Sequence, residues 1–173
     1  MASEGEIFML DEQVVFRGRP MRVTGRTQFE GASGQLTFRY LLSDPTGAPV
    51  ILEEGEGRFA LLRPFPPGAP LQVAGDTVAV GAEKYTLVGV RKLKVLDAGG
   101  NVPGVPPKAP LFLSGIFEGP VGTLMREMAP GTATQVYYLL KPLAAGEVVS
   151  AAKYAADRDA AGRAAGARAL KGD

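Results

Sequence analysis

Histidine, cysteine and tryptophan are all missing from these 173 residues. Without His or Cys there is no Ser-His or Cys-His nucleophile, no thiolate chemistry, and none of the usual ligand sets for zinc, copper, haem or iron–sulfur clusters. Any metal would have to be a hard cation held by oxygen, and neither metal nor cofactor is expected. No disulfide can form, so stability must come from packing and the redox compartment is left open. A dominant charge is missing too: 19 Lys+Arg stand against 18 Asp+Glu, a formal charge of +1, which argues against a general nucleic-acid binder. The opening Met1-Ala-Ser-Glu-Gly-Glu6 lacks the basic stretch of a signal peptide. No apolar run approaches the roughly 18–20 residues of a membrane span. The expectation is a cytoplasmic protein with no integral membrane segment.

What is present suits a globular β protein. Hydrophobic residues make up 46% and charged ones 21%, enough to build a core in a chain of single-domain size. The 23 Gly and 14 Pro punctuate short β-branched and aromatic runs. Strands are expected at 13–16, 20–24, 36–42, 50–53, 58–62, 77–80, 84–90, 92–96, 111–116, 122–128 and 134–140. Asp44-Pro-Thr-Gly47 and Asp97-Ala-Gly-Gly-Asn101 carry turn chemistry. Helix is expected only after Glu147.

Two internal echoes are consistent with duplication of a small β unit or with chance in a chain rich in Gly, Pro and Val. Residues 12–25 laid over 76–89 match an acid, a Val, a strand, a Gly-containing turn, a second strand and a closing Gly. Residues 65–71 match 105–111 as stiff Pro-rich lead-ins to a strand. The expected organisation is a β domain over 1–146 made of two related halves, about 10–64 and 74–146, followed by an Ala-rich helical tail over 147–173. The fold class is mainly β: two small tandem barrel-like or sandwich-like halves with a pseudo-repeat, plus the C-terminal helix. Ser150 is the expected helix cap and Asp159 with Arg163 an i,i+4 pair. The only large apolar side chains of that helix are Tyr154 and Leu170, so it is either a weakly anchored tail or a surface for another helix through its small-residue face, Gly162 and Gly166 included.

Three patterns imitate chemistry. Gly55-Glu-Gly-Arg-Phe-Ala60 mimics a dinucleotide loop, but Pro64 leaves no room for the required helix, and a hairpin turn is expected. Ser150-Ala-Ala-Lys153 matches a β-lactamase motif without its companion elements. The carboxylates Asp11 with Glu12, Glu53-Glu-Gly-Glu56, and Glu118 with Glu127 are expected as solvated surface charge. Interaction candidates are the basic residues of the two echoed hairpins, Arg22, Arg26, Arg91 and Lys92, which would form one patch if the hairpins sat side by side. Tyr137 and Tyr138 put one ring on each face of a strand, and Tyr154 on the tail is a further contact candidate.

The run Gln13-Val-Val-Phe-Arg-Gly-Arg-Pro-Met-Arg-Val-Thr-Gly25, then Phe38-Arg-Tyr-Leu-Leu-Ser-Asp-Pro-Thr-Gly47 and Val50-Ile-Leu-Glu-Glu54, resembles a widespread bacterial β-domain family of unknown function. Lys84-Tyr-Thr-Leu-Val-Gly89 and Val136-Tyr-Tyr-Leu-Leu-Lys-Pro-Leu143 are similar to that family's second half, although the family's common tryptophans are absent. The resemblance implies no catalytic residue. It implies an accessory role, because the family's genes often neighbour polyamine-synthesis and membrane-stress genes. The leading expectation is a non-enzymatic protein acting through protein contact or self-association. Its rivals are a small-molecule binder or carboxylate-using enzyme with a site between the halves, and a peripheral membrane or nucleic-acid adaptor.

Overall fold

The computed structural model describes residues 7–66, 70–101, 111–128 and 135–170, the final helix with its side chains as far as 166. Its elements are β1 (Gln13–Phe16), β2 (Arg19–Glu30), β3 (Leu36–Ser43), β4 (Val50–Gly55), β5 (Arg58–Pro64), β6 (Leu71–Ala74), β7 (Thr77–Val80), β8 (Glu83–Gly100), β9 (Leu111–Gly119), β10 (Gly122–Met128), β11 (Gln135–Pro142), β12 (Val148–Ser150) and α1 (Ala151–Leu170). All strand pairs are antiparallel, in the order β12-β1-β2-β3-β4-β5-β11-β10-β9-β8-β7-β6. An additional pairing of β2 with β8 closes β2-β3-β4-β5-β11-β10-β9-β8 into an eight-stranded barrel. Closure pairs the long strands β2 and β8 with each other and leaves the short β6 and β12 at the ends of the sheet.

The two halves close jointly, each supplying four strands to one barrel. Their equivalence reaches further than the sequence echo. β1–β2 and β7–β8 are the same hairpin, and each long strand carries its register shift at the matching place, between Val23 and Gly25 and between Leu87 and Gly89. The edge strands are exchanged: β6 follows the first half but pairs with β7, while β12 follows the second and pairs with β1. The other echo falls largely outside the described residues, at 67–69 and 105–110.

Several boundaries differ from the expectation. The runs at 84–90 and 92–96 belong to one strand, β8, and Asp97–Gly100 continue it against β2 instead of turning. The glycines there serve close approach. A Cβ on Gly99 would meet the Leu10 side chain at 2.6 Å, and one on Gly25 would sit 1.5 Å from the carbonyl oxygen of Asn101. β6 and β12 were not among the expected strands. Asp44 does turn the chain, accepting the Thr46 N–H at 2.7 Å, and Glu56 and Gly57 form the β4–β5 hairpin turn at φ 53° and 78°.

Packing divides into layers. Outside the barrel, Tyr40, Leu42, Leu52 and Leu61 of the first half lie under Phe8, Val14, Met21, Val23 and Val148. The matching cluster of the second half is Val78, Tyr85, Phe117 and Leu124. Inside are two apolar layers, one around Phe29, Leu93 and Phe112, the other around Ile51, Leu62, Met125 and Tyr138. α1 starts from a Ser150 hydroxyl that accepts the Lys153 N–H at 3.1 Å. Arg163 donates to the Asp159 carbonyl at 3.3 Å in place of the expected side-chain pair.

Candidate functional site

Between the two inner apolar layers runs a row of polar side chains set by strand register. β2, β3 and β4 place Thr27, Arg39 and Glu53 side by side, and β8, β9 and β10 place Arg91, Ser114 and Glu127 in the equivalent positions. The two carboxylates thus occupy matched places. The two arginines do not, since Arg39 corresponds to Ser114 and Arg91 to Thr27. Each half is neutral in this row, yet most of its bonds cross between halves.

Arg39 is fully buried and forks onto Glu127, with Nη1 to Oε2 at 2.8 Å and Nη2 bonded to Oε1. Nη2 also donates to Glu53 at 2.9 Å. Its guanidinium lies 5.2 Å from the Phe29 ring centre and 5.8 Å from that of Tyr138. Arg91 donates to the other Glu53 oxygen at 2.9 Å and to the Ser114 hydroxyl at 3.1 Å. The chain Glu127–Arg39–Glu53–Arg91 alternates in sign and ends at solvent. Arg91 reaches solvent because β2 stops at Glu30 opposite Lys94, leaving the wall open beside the preceding residues of β8. A groove of about 290 Å³ lies there, lined by Gln35, Thr37, Glu53, Arg58 and Arg91 among others.

These contacts decide the protonation states. Burial pushes the Glu53 carboxyl up, but Arg39 and Arg91 overcome it and hold it below its ordinary value. Burial disfavours the Arg39 cation, and Glu127 and Glu53 more than reverse that, so Arg39 stays charged. Burial raises the Tyr138 phenol to about 12, against the opposing pull of Arg39. Glu54, on the outer face, is raised by burial, with the Gly57 N–H as its only opposing contact. A glutamate locked as an anion between two arginines has no proton to deliver, and its oxygens are engaged.

The expectation of solvated carboxylates therefore fails at Glu53, Glu54 and Glu127, all buried, and holds at Glu118, which is exposed. Glu118 and Glu127 face different strand neighbours, Thr123 and Ser114, and form no pair. Nor do the basic hairpins sit side by side, because β2 and β8 run antiparallel and their turns point to opposite ends. Arg22 is exposed on β2, whereas Arg26 is half-buried over Phe38 with Asp97 3.7 Å away. Arg91 points into the barrel and Lys92 out of it. Tyr138 is buried inside, and Tyr137 is half-buried outside with its hydroxyl on Gln135 at 2.9 Å. Tyr154 is half-buried in the first turns of α1, while Gly162 and Gly166 stand open with nothing near them.

Among the described residues no cluster of acidic side chains is arranged to hold a metal ion, and no helix is long and apolar enough to cross a membrane. No family model, curated protein or solved structure matches the chain.

Proposed function

We propose that this chain is a non-enzymatic β-barrel protein that works by contact, first with its own copies, in an accessory role of the kind that its resemblance to the bacterial β-domain family implies. One observation carries the reading: among the described residues α1 packs chiefly on β1 and β12, and every residue from Ala155 to Gly166 is exposed. A helix of 20 residues spans about 30 Å. Half of it is alanine, and such a helix is marginal in water without a packed face. Its small side chains suit close approach of a second helix. Light scattering on the full chain and on a chain ending at Ser150 tests this. The expected result is an oligomer that the truncation converts to a folded monomer; two monomers of equal stability would overturn it.

A second reading, a small-molecule site between the halves, is favoured by the groove where Glu53 of one half and Arg91 of the other meet. It requires a small anion to raise the unfolding midpoint of the protein and to leave that of Arg91→Ala unchanged. A midpoint indifferent to anions in both would dismiss it.

A further inference from the structure

We propose that the outer face of β8, β9 and β10 is a docking surface for a short, acidic, non-helical segment of a partner protein, one carrying an aromatic side chain. The argument starts from the equivalence of the halves. On the first half this face is covered by residues 7–12, which have no regular structure. Phe8 is 0% exposed. It stacks on Phe59 at 5.6 Å, packs on Tyr40 at 5.3 Å, and donates its backbone N–H to the Tyr40 hydroxyl at 3.2 Å. Asp11 and Glu12 complete the segment before β1.

The second half has no such cover. Where the first half is entered through residues 7–12, the second is entered from β6 through Gly75 and Asp76 alone, so among the described residues no equivalent segment lies across the face. Strand register puts Leu113, Gly115 and Gln135 where the first half has Phe38, Tyr40 and Phe59. Val88 and Val90 are consequently 56% and 57% exposed, and Leu111, opposite Lys94 farther along the same strands, is 38% exposed.

Charge selects the occupant. Lys92 and Lys94 are exposed on this face, and Arg126 is half-buried above the Phe117 ring at 5.0 Å. The one acid in register with them is Glu30, opposite Lys94. Residues 102–110 and 129–134, which adjoin these strands in sequence, contain no Asp or Glu. Exposed apolar side chains flanked by Lys92, Lys94 and Arg126, with Glu30 the one acid in register among the described residues, favour an anionic segment from outside the chain. This surface is separate from α1, so the two proposals stand or fall independently.

The probe is a peptide of residues 4–12, Glu-Gly-Glu-Ile-Phe-Met-Leu-Asp-Glu, titrated onto the isotope-labelled full chain by NMR. Saturable shifts are expected at Val88, Val90, Lys92 and Leu111, weakening with added salt. Binding should fall on the order of tenfold in a Lys92→Gln, Lys94→Gln double variant, whose unfolding midpoint should match the wild type because both side chains are exposed and no like charge is set opposite Glu30. The same peptide with its Phe replaced by Ala should not bind. Absence of saturable shifts would overturn the proposal. So would shifts centred on Tyr40 and Phe59, meaning displacement of the chain's own segment, or a face that ignores the peptide and binds phosphatidylserine vesicles.

Discussion

Arg39 shows how far a single residue can depend on its neighbours. A buried guanidinium contributes little net stability when paired, but removing Arg39 strands Glu127 in a low-dielectric interior and leaves Glu53 with Arg91 alone. Arg39→Met should therefore cost roughly 3–5 kcal/mol, measured by urea unfolding. Adding Glu127→Leu should recover most of the loss, since Glu53 keeps Arg91. The acidic neighbours Glu53 and Glu54 make a second, signed prediction. Glu53 is depressed, so its contribution is present above the ordinary glutamate pKa of about 4.3 and is lost as pH falls through its lower folded value. The midpoint gap between wild type and Glu53→Gln should shrink on acidification below that pH. Glu54 is raised, so its ionised form disfavours the fold. Glu54→Gln should raise the midpoint at neutral pH, and its advantage should fade as pH drops. None of this was legible in the sequence, where Thr37-Phe-Arg-Tyr-Leu41 reads as an aromatic face turned inward and an arginine turned to water. In the fold the barrel lumen and the covered outer face are both buried, so alternation no longer separates inside from outside.

At the scale of elements, the sequence located most strands and the helix because β-branched periodicity and alanine content are local signals. It misjudged where local chemistry and long-range approach demand the same residue. Glycine at 99 and 100 permits a turn, but here it clears space for Leu10 and the β2 backbone. The matched pair Gly25 and Gly89 separates these roles by experiment. Gly25→Ala pushes a methyl into the Asn101 carbonyl and should cost at least about 1–3 kcal/mol. Gly89 has nothing within 4 Å, so Gly89→Ala should be neutral or stabilise by up to about 1 kcal/mol. Urea midpoints of the two variants, measured together, check the contrast; equal losses would mean that the close approach at Gly25 is not what the position requires.

For the whole molecule, exchange of edge strands ties the halves into one cooperative unit. β5 pairs with β11, β2 with β8, and the ion row bonds across the same divide. Neither half should unfold alone. Secondary-structure and tyrosine signals are expected to follow one coincident urea transition, and refolding should take milliseconds to seconds because the pairings are non-local. Two resolved transitions would contradict this. The repeat was legible from residues 12–25 and 76–89, but its joint closure was not, since hairpin patterns are blind to which distant strand completes the sheet.

The exchanged strands also blur where the chain begins. β12 lies against β1 much as β6 lies against β7, with Ser150 opposite Val14 and Val73 opposite Val78. One of these seams is bridged by Gly75 and Asp76 and the other is left open. A circularly permuted gene, joining β12 to β1 with a two-residue bridge and opening between β5 and β6, should rebuild the same barrel, with the order of translation reassigned and every strand keeping its neighbours.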